Sequence, residues 1–111
     1  MKIPAARLVF GEQIARSKKI ALLSTDAELL FLRAVVNLDG GNKIIGDPSL
    51  LLATIHPRSI THFSDKIEDA IQEWVEVGLV EIIPAEDEQG DDYIRFIEAF
   101  GCDYVDPNAD R

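Results

Sequence analysis

Apolar residues recur every three or four positions through most of this chain, and two short β-branched and aromatic runs follow near its end. The densest apolar segment carries Leu29, Leu30, Phe31, Leu32, Ala34, Val35, Val36 and Leu38, and almost no polar face. A helix apolar nearly all round packs on several sides, so a central helix is predicted here, ending at Asp39-Gly40-Gly41. Thr25 and Glu28 precede the apolar run with the spacing of a capping box, in which two orphan N–H groups are satisfied reciprocally. Further on, Ile67, Ala70, Ile71, Trp74 and Val77 form one stripe and Lys66, Asp69, Glu73 and Glu76 the opposite face. This spacing predicts a helix with Ser64 as N-cap, an end near Val77, and Gly78 as its left-handed C-cap.

Shorter signals fill the gaps. A helical turn or two fits 12–23, with Ile14, Ile20 and Leu23 inward and Arg16, Lys18 and Lys19 outward. Ile44-Ile45 suggests a very short strand. Asp47-Pro48 starts another helix, with Asp47 as N-cap and Pro48 at the first helical position, where its missing N–H costs nothing. That helix buries Leu51, Leu52 and Ile55 and stops near His56, because Pro57 follows. Val80 to Ile83 and Tyr93 to Ile97 read as β-strands joined through 84–92. The order helix, short strand, helix, helix, hairpin predicts an α+β, mainly helical fold. It is that of a winged helix-turn-helix, a three-helix cluster whose third helix feeds a β-hairpin wing. An arm over 1–11 and a flexible tail over 101–111 are expected to flank one domain over 12–100.

Composition narrows the class. With 111 residues, 47% of them hydrophobic, the chain suits one domain with a real core. No apolar run approaches the ~18 residues of a membrane span, and the start lacks the pattern of a signal peptide. Cys102 is the only cysteine, so no internal disulfide forms and a reducing cytoplasmic setting is expected. The formal net charge of −9 is unevenly spread. Residues 1–66 carry nine Lys/Arg against six Asp/Glu, whereas residues 67–111 carry two against fourteen. A polyanion is attracted to the first part and repelled by the second.

Candidate sites follow from that asymmetry. A DNA-reading third helix offers Arg, Lys, Asn or Gln to base edges. Here the face is Lys66, Asp69, Gln72, Glu73 and Glu76, and the hairpin tip is Glu86-Asp87-Glu88-Gln89-Gly90-Asp91-Asp92. Asp69, Glu73 and Glu76 therefore suit a basic protein partner better than phosphate. The cations lie elsewhere: Lys18 and Lys19 at a helix edge, with Arg58 and His62 in the loop before the third helix, make the predicted phosphate-binding patch, with Lys66 beside them. Arg33 is expected to point outward from the central helix. His56 and His62, six apart across Pro57 with no cysteine at ligand spacing, make a poor metal pair. No cofactor loop is present, since no Gly-Lys-Ser/Thr follows the glycines. Cys102 lacks a cationic neighbour that would activate it. No enzyme is indicated.

Over 12–97 the chain resembles the phage replisome-organiser, or DnaD-like, N-terminal winged-helix domains. The resemblance rests on Ser17-Lys18-Lys19-Ile20-Ala21-Leu22-Leu23-Ser24, Ala27-Glu28-Leu29-Leu30-Phe31, Gly46-Asp47-Pro48, Ile67-Glu68-Asp69-Ala70-Ile71, Val77-Gly78-Leu79-Val80 and Tyr93-Ile94-Arg95-Phe96. It implies a bacteriophage or prophage protein acting in DNA replication at origins. The implied partners are DNA, host replication proteins and further copies of the chain. The alternative is a winged-helix protein-interaction module that presents its acidic third helix and wing to a basic partner. Folds host unrelated functions, so the fold alone does not choose between them.

Overall fold

In the computed structural model, which describes residues 16–86 and 90–97, the first three helices each start at a local polar side chain. Ser17 caps α1 (Lys18–Ala21), its hydroxyl accepting from the Ile20 N–H at 3.2 Å. Ser24 caps α2 (Thr25–Val35) by accepting from the Ala27 N–H at 3.3 Å. The capping box predicted at Thr25 therefore does not form: Ser24 is the cap and Thr25 is the first helical residue. Its expected Glu28 partner gives way to Glu73, as described below. α2 is also shorter than expected, since Val36 is already the C-cap, although Leu38 stays buried in the turn that follows.

Asp39 organises that turn. Its Oδ1 accepts from the N–H groups of Gly41 and Lys43, at 2.8 and 2.9 Å, and Asn42 takes a left-handed conformation, φ 60°. The chain then enters β1 (Lys43–Ile45) and, through Gly46, reaches α3 (Pro48–Ile55), capped by Asp47 with Pro48 in the first turn, as predicted. Pro57 ends α3 at His56. The segment expected as a loop is instead a 3-10 turn (Pro57–Ser59) and one helical turn, α4 (Ile60–Phe63), which together bury Phe63.

α5 (Ile67–Glu76) begins later than the sequence suggested. Ser64 does not cap it: its hydroxyl donates to the Thr61 carbonyl, and Lys66 occupies the cap position without a side-chain bond. The other end matches the expectation. Gly78 has φ +80°, its N–H donates to the Val75 carbonyl, and the Leu79 N–H donates to the Trp74 carbonyl at 2.9 Å. This Schellman pattern turns the chain directly into β2 (Val80–Ile83), followed by β3 (Tyr93–Phe96).

The three strands form one antiparallel sheet in the order β1-β3-β2. β3 is central, and its alternate residues Ile94 and Phe96 point into the core while Tyr93 and Arg95 face out. Ile82 lies opposite Ile94 on the edge strand β2 and is 41% exposed. Phe31 of α2, Trp74 of α5 and Phe96 of β3 join helices to sheet. Phe31 stacks on Phe96 at 5.0 Å between ring centroids and meets Trp74 edge-on at 5.6 Å. All three are buried, in a core running from Ile20 to Phe96 that holds no buried polar residue among the described ones. The fold is therefore α+β with a small antiparallel sheet. No described helix is long and apolar enough to cross a membrane. The predicted arm, tail and Ile14 lie outside the described residues, as do Asp87 to Gln89 of the hairpin tip.

Candidate functional site

The polar face of α5 is tied into the fold more than a solvated recognition face would be. Glu73 reaches α2: its Oε1 accepts from the Ser24 N–H at 2.8 Å and its Oε2 from the Ser24 hydroxyl at 2.7 Å. Glu76 accepts from the Gln72 side chain at 3.2 Å. Lys66 pairs with Asp26 at 3.4 Å, in a depression it shares with Ser24, Asp69 and Glu73. Lys66 is surrounded by carboxylates there, which makes it a poor phosphate ligand. Asp69 remains exposed. The hairpin presents Glu86, Asp91 and Asp92, and Asp92 closes its base by accepting from the Ala85 N–H at 2.8 Å.

Of the predicted phosphate ligands, Lys19 and Lys66 stand at opposite ends of α5. Lys19 is held at the C-terminal end of α5, where its ammonium donates to the Gly78 carbonyl at 3.3 Å. This is a favourable place for a cation, next to the last carbonyls of a helix. Lys18 is exposed beside it on α1. Lys66 marks the opposite end of α5, about 15 Å away at 1.5 Å per residue, and Arg58 and His62 precede it in the chain.

Arg58 lies with His56, two positions before it in the chain, and with Arg33, which only packing brings there. Arg33, His56, Pro57 and Arg58 line one shallow depression of about 230 Å³. Arg33 crosses from α2 to the end of α3, where one guanidinium N–H donates to the Ile55 carbonyl at 3.0 Å. Phe63 holds both imidazoles at this end of the molecule, His56 at 5.0 Å and His62 edge-on at 4.6 Å. Partial burial, then the Arg33 charge and more weakly His62, hold His56 below the usual imidazole value against the opposing effect of its own backbone. Two guanidiniums and two imidazoles thus gather at the end of α3. A sequence signal for part of this exists: Pro57 strands the last carbonyls of α3, and an Arg is a natural donor to them. Which Arg supplies it depends on how α2 packs against α3, which no local pattern contains.

Compared with protein-family models, curated proteins and solved structures, the chain matches none.

Proposed function

We propose that this chain is a winged-helix domain that associates with DNA, in phage or prophage replication initiation or its regulation, without an enzymatic activity of its own. The observation that carries the reading is topological. A strand between the first two helices of the cluster pairs with the last strand of the hairpin, giving β1-β3-β2, and the third helix turns through Gly78 straight into that hairpin. The family resemblance supplies the replication role. Titration of a labelled duplex of about 20 base pairs at about 20 mM salt tests it, with binding expected to weaken steeply as salt rises. No binding by the 111-residue chain under these conditions overturns the reading.

The acidic distribution favours a second reading. Glu68, Asp69 and Glu76 are exposed on α5, and Glu86, Asp91 and Asp92 on the hairpin. A surface of this sign suits a basic protein partner. In that case the duplex does not bind, and Asp69→Asn with Glu76→Gln weakens capture of a lysine-rich peptide.

A further inference from the structure

We propose that the depression lined by Arg33, His56 and Arg58, flanked by His62, is where the chain grips the phosphate backbone of nucleic acid. This rests on the DNA-associated reading above and assigns the surface that serves it. Arg33 is pinned rather than free: its bond to the Ile55 carbonyl fixes the guanidinium at the rim and leaves further N–H groups for an incoming anion. Arg58 lines the same depression from the 3-10 turn, and among the described residues no carboxylate lines it. Phe63 places His62 of α4 on the same end as His56.

The groups facing His56 are therefore Arg33 from α2, Arg58 from the 3-10 turn and His62 from α4, all basic. Arg33 and Arg58 carry fixed like charges on one depression, and an anion between them relieves their repulsion. A phosphodiester suits the site because guanidinium forks match its paired non-bridging oxygens. In a chain of net charge −9, this depression offers a polyanion a surface of opposite sign.

The two histidines are the only ones in the chain, so their ring signals in NMR report on this site alone. Their titrations are followed in the full chain with and without the duplex, at about 20 mM salt. Both midpoints are expected to move upward when the duplex binds, because a phosphate favours the imidazolium form. Arg58→Gln, at an exposed position, is expected to weaken duplex binding about two- to fivefold. It should also make the salt slope shallower by about 0.9 if one phosphate contact is lost. Duplex binding with unmoved histidines, insensitive to Arg58→Gln but lost in Lys18→Gln with Lys19→Gln, overturns the assignment and leaves the DNA reading standing. An equal histidine response to polyglutamate overturns the phosphate specificity. No duplex binding at all overturns the DNA reading and this assignment with it.

Discussion

Glu73 of α5 completes the N-terminal cap of α2 by accepting both the backbone N–H and the hydroxyl of Ser24, a residue 49 positions earlier. In a capping box, the acidic residue three positions after the cap returns to the cap N–H. Here that position is Ala27, which has no such group, and a neighbouring helix provides it. The bond also fixes the register of α5 against α2, the helix pair with the most extensive packing in the fold.

Glu73→Gln leaves one acceptor oxygen for two donors. A loss of about 0.5–1.5 kcal/mol is expected, the usual net value of a hydrogen bond. Glu76→Gln, whose described partner is Gln72 on the same helix, should change stability by less than about 0.5 kcal/mol. Urea denaturation of the two variants distinguishes a structural carboxylate from a solvated one. Equal, near-zero effects refute the structural role of Glu73.

Trp74 is fully buried, and its indole N–H donates to the Ala27 carbonyl at 2.9 Å. Trp74→Ala is expected to cost about 3–5 kcal/mol by removing the largest ring of the aromatic triad. Trp74→Phe keeps a ring there but loses volume and the indole donor, so about 1–3 kcal/mol is expected. Thermal unfolding followed by circular dichroism gives both values, and a neutral Trp74→Ala contradicts the packing described.

Gly46 and Gly78 require glycine for different reasons. A Cβ on Gly46 would lie 2.8 Å from the Asp92 carbonyl oxygen, which the Gly46 N–H itself approaches at 2.8 Å. The atom met is backbone and cannot swing aside, so Gly46→Ala should cost about 1–3 kcal/mol through displacement of the chain at Asp92. Gly78→Ala meets no such wall but must hold φ +80°, for about 1–2 kcal/mol. Gly40→Ala, with open space around it, is the control and should be neutral or slightly stabilising. Chemical denaturation of the three variants should rank them in that order.

His56 makes stability depend on pH with a definite sign. Its folded value lies below the unfolded 6.5, so between the two the unfolded chain binds more protons. Stability from this group is therefore complete above about pH 6.5 and is lost as pH falls toward the folded value. The difference in unfolding free energy between pH 7.5 and 5.5 should shrink in His56→Gln. An unchanged or larger difference contradicts the assignment.

Local chemistry was enough to read most elements of this protein from its amino-acid order. Asp47-Pro48 starts α3, Pro57 ends it, Gly78 closes α5, and the spacing of Ile67, Ala70 and Trp74 names the buried stripe, because each depends on neighbours within a turn of chain. The misplaced caps have the same origin. Ser24, Thr25 and Ser64 are all competent cap residues, and which is used depends on where a partner such as Glu73 or the Thr61 carbonyl stands. Sequence also determined the separation of charge, with cations early and carboxylates late. Only tertiary structure decided what those charges do. It turned Glu73 into a cap, placed Lys19 on the Gly78 carbonyl, set Lys66 among carboxylates, and carried Arg33 from one helix to the end of another beside His56 and Arg58. Hydrogen bonds and charges act through space over a few ångströms, and packing brings residues tens of positions apart within that range.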